Sequence, residues 1–101
     1  MLNHQSQPSQ RVRHDALLQR LGVTIRTYRQ RKGLSLETLK GLTNLSPSYL
    51  AQIERGERNT TVLSLIRIAD ALDISYTELL EPLNAFRPSP LPADHPADQS
   101  L

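Results

Sequence analysis

The sequence predicts an all-α fold, a compact bundle of five short helices. Three observations lead there. Apolar residues recur at helical spacing, as in Leu17, Leu21, Ile25 and Tyr28, and no stretch alternates cleanly as a half-buried strand would. Serine or threonine stands just ahead of the later apolar runs, at Ser35, Ser46, Thr61 and Ser75, where a side-chain oxygen caps a helix start. Aromatic residues are 4% of the chain, too few for a strand-rich barrel or a stacking platform for single strands.

The elements follow in chain order. Residues 1–13 are polar, lack periodicity and read as a disordered arm. Helix one is expected from about Asp15 to Lys32, with residues 14–24 as an N-terminal extension ahead of a domain spanning 25–81. Gly22 lies inside it at a cost of ~1 kcal/mol relative to alanine, which leaves room for a kink or break there. Gly33 closes the helix as a left-handed cap. Ser35 opens helix two, with Glu37 in its first turn against the positive pole and Leu39 and Leu42 facing inward.

Thr43-Asn44-Leu45 makes a short turn in which Asn44 best tolerates positive φ. Ser46 caps helix three, and Pro47 takes its first position, where a missing N–H is harmless. Leu50 and Ile53 form its buried face, and Gly56 stops it. Thr61 caps helix four, Val62 to Leu72, which is apolar nearly all round and so expected at the centre of the core. Asp73 takes the next turn. Ser75-x-x-Glu78 is a capping box opening helix five, with Leu79 and Leu80 inward. Residues 82–101 read as a proline-rich tail, extended over 87–101, where Pro88, Pro90, Pro92 and Pro96 leave no room for a helix.

Composition removes several function classes. With no cysteine there is no disulfide scaffold, zinc finger or thiol nucleophile. No apolar run approaches the ~18 residues of a membrane helix, and no secretory pattern opens the chain; a soluble cytoplasmic protein without membrane contact is expected. His4, His14 and His95 stand apart from any carboxylate pair, glycine-rich phosphate loop or nucleophile, so neither an enzyme nor a metal or cofactor site is expected. The formal charge is only +2, but cations cluster. Arg26, Arg29, Arg31 and Lys32 fall within one short stretch, and Arg55 and Arg58 flank Gly56. Each cluster also suits a solvated helix end, where cations face the carbonyl pole.

Helices two and three, joined by a short turn over about residues 35–55, have the geometry of a helix-turn-helix. The second helix of such a pair can enter the DNA major groove, ~12 Å wide. Ser46, Pro47, Ser48, Tyr49 and Gln52 occupy or flank the outward face near its N-terminal end, where base contacts occur. Gln52 can pair adenine bidentately, and Ser46 and Ser48 can bond to base or phosphate. Tyr49 has a second reading, packing over the turn. These groups are neutral, so positive charge must come from the flanks.

Ile25 to Leu80 resembles the Cro and phage-repressor type of helix-turn-helix domain, the Xre family. The resemblance rests on R-x-x-x-G-L-S at Arg29–Ser35, S-P-S-Y-L-x-Q-I-E-R-G-E-R-N at Ser46–Asn59 and I-A-D-A-L-D-I at Ile68–Ile74, in that order and spacing. It implies an ion pair between Arg29 and Glu54 that ties the recognition helix to the scaffold. It also implies phosphate contacts from Arg55, Arg58, Asn59 and Thr60 on the loop before helix four. Three positions depart from the family pattern. Leu36 stands where a glutamine usually bridges phosphate to the recognition helix. Lys40 replaces a small residue, must extend outward along its stem, and could serve as a further phosphate contact. Asn44 replaces the turn glycine.

The function these readings imply is a sequence-specific transcriptional regulator, a repressor or activator, binding double-stranded DNA as a homodimer. Leu80, Leu83 and Phe86 are candidates for the dimer seam, against the alternative that they dock on their own chain. The competing function is a protein-interaction module or antitoxin that keeps the fold with weak or no DNA reading, the tail being its candidate partner-binding segment.

Overall fold

The computed structural model describes residues 6–88, with side chains from residue 10 onward. The first five residues of the expected arm, and the tail beyond residue 88 with its partner-binding reading, lie outside the described residues. Five α-helices form the domain: α1 (Ser6–Arg31), α2 (Leu36–Thr43), α3 (Pro47–Glu54), α4 (Val62–Leu72) and α5 (Tyr76–Leu80). A 3-10 turn, Glu81–Phe86, closes it. No strand occurs among the described residues. The all-helical expectation therefore stands.

The caps sit where the sequence puts them. Oγ of Ser35 accepts from the amide of Thr38, Ser46 from Tyr49, Thr61 from Ser64, and Ser75 from Glu78, whose carboxylate returns the bond to the Ser75 amide. Each satisfies an amide that the first helical turn leaves without an intrahelical partner. Asn44 ends α2 at φ 63°, as its turn reading anticipated, and Asp73, in the next turn, ends α4 at φ 57°.

α1 differs most from expectation. It begins at Ser6 rather than near Asp15, so residues 6–13 are helical and not a disordered arm. Pro8 does not interrupt it, because an amide in the first turn has no intrahelical acceptor. The extension also finds a partner the apolar pattern cannot show: Nε of Arg13 donates to the Phe86 carbonyl at 2.8 Å. Nor does the helix break at Gly22. The glycine is buried mid-helix, and its missing Cβ lets another backbone approach.

The core is Leu21 and Ile25 of α1, Leu39 of α2, Leu50 and Ile53 of α3, Ile68, Ala69 and Leu72 of α4, and Leu79 of α5. Full burial of each of these leucines and isoleucines contributes ~1.5–3 kcal/mol. Three expectations of inward-facing residues are corrected. Leu42 is 57% exposed, one position beyond the buried stripe of α2. Leu80 is 41% exposed, because α5 turns only Leu79 to the core. Helix α4 is buried on one face only, through Ser64, Ile68, Ala69 and Leu72. Val62 and Leu63 are 71% and 67% exposed, since nothing in this domain covers the outer face of its first turn.

Candidate nucleic-acid interface

α3 carries the candidate reading face, and its sequence forces two sides. Leu50 and Ile53, three residues apart, are fully buried and fix its back to the core. Ser48 is exposed and Gln52 half-buried on the other side. Ser46 accepts from the Tyr49 amide at 3.0 Å, which occupies one acceptor site and leaves its hydroxyl proton for another partner. Pro47 at the first helical position is half-buried.

The C-terminal end of α3 is clamped to α1. Nε and Nη2 of Arg29 donate to the two carboxylate oxygens of Glu54, at 2.6 and 2.9 Å. A third donor, Nη1, bonds to the Leu34 carbonyl at 2.8 Å. The side chains are 13% and 6% exposed, so this is a sheltered bidentate pair and not a surface one. The bond to Glu54 holds the Arg29 pKa above its ordinary value, with burial opposing it and the neighbouring charge adding to it. The same guanidinium thus links α1, the turn before α2, and α3.

Two glycines complete the clamp, and the sequence offered only a weak sign of either role. A Cβ on Gly22 would stand 2.5 Å from the Ile53 carbonyl oxygen and closer still to that of Glu54. Gly56, at φ +75°, sits with its missing Cβ 2.9 Å from Cα of Gln19. α1 therefore touches α3 and its outgoing loop backbone to backbone. An interior helical glycine was legible as costly; the partner that compensates it was not.

The loop after α3 holds the cations in different states. Arg55 makes two 3.0 Å bonds to the Glu57 carboxylate, both residues being exposed. Arg58 lies over the Tyr49 ring, 5.0 Å from its centroid. Such stacking leaves its in-plane donors directed outward. Asn59 is exposed and Thr60 half-buried. Lys40 is exposed on α2. Leu36 packs against the core instead, which is why a leucine fits there and a glutamine's hydrogen bond is absent.

Tyr49 is tied inward. Its hydroxyl lies 3.1 Å from Oγ1 of Thr60 and 3.5 Å from Oγ of Ser64, a contact set the sequence reading did not foresee. Thr61 in turn donates to Ser64 at 3.0 Å. Hydroxyls of Ser64 and Thr60 turned to the phenolate lower the Tyr49 pKa, and the Arg58 charge adds to this. The ring thus fastens the loop to α3.

The residues read as a dimer seam separate. Leu83 packs against the core, and Phe86 is half-buried beneath the Arg20 guanidinium. Both dock on their own chain, while Leu80 remains exposed. It borders a groove of about 170 Å³ between α4 and α5, lined by Val62, Leu65, Ile66, Tyr76, Leu79 and Leu80.

Comparison with known proteins agrees with this architecture. The family model described as helix-turn-helix matches residues 25–79. An uncharacterized HTH-type transcriptional regulator of Sinorhizobium fredii, y4dJ, is 39% identical over 62 residues, covering 61% of this chain and 80% of y4dJ. The HTH-type transcriptional regulator SutR of Escherichia coli is 36% identical over 69 residues, 68% of this chain, which spans only 39% of SutR. Among solved structures, the restriction-modification controller protein C.AhdI from Aeromonas hydrophila is similar at TM-score 0.62 and 44% identity, over 63% of this chain and 97% of that one.

Proposed function

We propose, for a chain that belongs to the helix-turn-helix family of Cro and phage-repressor (Xre) type, that it is a DNA-binding transcriptional regulator which reads an operator through α3 in the major groove. The observation that carries the finer reading is the two-sided state of α3. Its apolar back is buried, Ser48 and Gln52 remain accessible, and the Arg29–Glu54 bond fixes its far end. A helix held this way presents donors and acceptors at small entropic cost. In this reading Ser46, Ser48 and Gln52 meet base edges, and Pro47 packs alongside them. Arg58, Asn59, Lys40 and, once released from Glu57, Arg55 meet phosphates. Tyr49 and Thr60 brace the loop.

A homodimer would set two α3 helices about one DNA turn apart, ~34 Å, on a near-palindromic site. The apolar groove beside Leu80, lined also by exposed Val62 with exposed Leu63 next to it in the chain, supports a seam on α4 and α5 rather than on Leu83 and Phe86. A restriction-modification controller is one role consistent with similarity to C.AhdI. The test is retardation of duplexes from a random pool, titrated with salt. Phosphate neutralisation predicts a log–log slope of about −0.9 per contact. No retardation, or a flat response, would favour the protein-interaction module instead.

A further inference from the structure

α1 has a second charged face that the DNA reading does not use. Arg13, Arg20 and Arg31 are spaced by nearly whole helical turns and so share one side of α1. Gly22 and Arg29, which meet α3, point half a turn away. These arginines therefore lie on the side of α1 turned away from α3.

The arginines are held in place. Arg13 donates to the Phe86 carbonyl, Arg20 lies 5.3 Å from the Phe86 ring centroid, and Arg31 lies 5.7 Å from that of Tyr28. Between Arg20 and Arg31 runs an open groove of about 430 Å³ lined also by Val23, Thr27, Tyr28 and Pro82. Nearby carboxylates are engaged or turned away. Glu81 accepts from Asn84 at 3.0 Å, Glu78 caps Ser75, and Asp15 lies on the α3 side of α1.

Residues 89–101, beyond the described part, continue from this place. They follow Phe86, which is stacked on Arg20, and read SPLPADHPADQSL, with Asp94 and Asp98 and no lysine or arginine. Asp94 stands seven positions after Arg87, a reach of at most ~25 Å. Arg20 and Arg31 are ~16 Å apart along the helix. We propose that this groove is the docking site of the chain's own residues 89–101, with the carboxylates of Asp94 and Asp98 drawn to Arg20 and Arg31. The contact is independent of DNA binding and leaves α3 open.

The absence of cysteine allows a single nitroxide label at Ala97→Cys in the full chain. In the isotope-labelled protein, the amide signals of Val23, Thr24 and Thr27 should lose most of their intensity, and those of Ser48 and Gln52 should keep it. Arg31→Glu, which leaves the Arg20–Phe86 contact intact, should restore the lost signals. Unbroadened signals, or a loss that survives Arg31→Glu, would overturn the proposal. So would a loss seen only when labelled and isotope-carrying chains are mixed, which would put the segment on a second copy. Shifts of Val23 and Thr27 on adding a poly-aspartate peptide, without any effect of the label, would assign the groove to a foreign acidic segment and overturn it equally.

Discussion

Gly22 and Glu54 meet backbone to backbone: the α carbon of one faces the carbonyl of the other with no room for a methyl group between them. The position of the candidate reading helix is set here, on the side of α1 opposite its arginine face. Gly22→Ala improves helix propensity by ~1 kcal/mol. It must nonetheless push α1 off α3, and overpacking of that kind costs about 1–3 kcal/mol. The expected result is a lower midpoint in urea despite the better helix former. A midpoint raised by the substitution would mean the two helices separate freely.

The Arg29–Glu54 pair makes a sharper energetic prediction. Glu54→Ala leaves a sheltered guanidinium with only the Leu34 carbonyl, and should cost about 3 kcal/mol in chemical denaturation. Arg29→Met with Glu54→Leu removes both charges and should return to within ~1 kcal/mol of the parent. If the double variant is as unstable as the single one, the loss is one of shape and not of an unpaired charge.

Within the loop, the bonding states of the arginines predict opposite effects. Glu57→Gln removes a negative group and frees Arg55, so it should tighten duplex binding and steepen the salt slope by up to ~0.9. Arg58→Ala removes a cation held outward over Tyr49, and should weaken binding similarly for all sequences while flattening the slope by about the same amount. Fluorescence anisotropy across a salt series separates the two. A change of base preference in Arg58→Ala would mean that this arginine reads sequence.

The proposed seam predicts a change of assembly without a change of fold. Leu80 is 41% exposed in the single chain and stays out of the core, so Leu80→Glu should shift the melting point of the monomer only slightly. Sedimentation should then show a monomer at concentrations where the parent is a dimer. Phe86→Glu should instead destabilise the chain, because its ring is covered by Arg20. Assembly lost only in Phe86→Glu would return the seam to the end of the domain.

Much of this fold was legible because it is written locally. Caps at Ser35, Ser46, Thr61 and Ser75, and the left-handed turn residues Asn44 and Asp73, involve neighbours a few positions apart. The Arg29–Glu54 pair was available only through family resemblance, since no local rule joins residues so far apart. What failed to show was tertiary. Residues 6–13 lack an apolar stripe, and the Arg13–Phe86 bond of that extension spans nearly the whole domain. Leu42, Leu80 and Val62 look like core by composition, and only the packing of whole elements decides which flank of a short helix is covered. Tyr49 sits at a reading position by sequence, yet Thr60 and Ser64 hold its hydroxyl from the far side of a loop.

Selection of bound duplexes from a random pool, run in parallel for the parent and Gln52→Ala, is the most direct measurement of whether α3 reads bases. Gln52 lies off the buried face, so the variant should fold. The account predicts a defined, near-palindromic site for the parent, and for the variant a site degenerate at the contacted positions, with each lost base contact worth ~1–3 kcal/mol. An identical site from both proteins, or none from the parent, would contradict it.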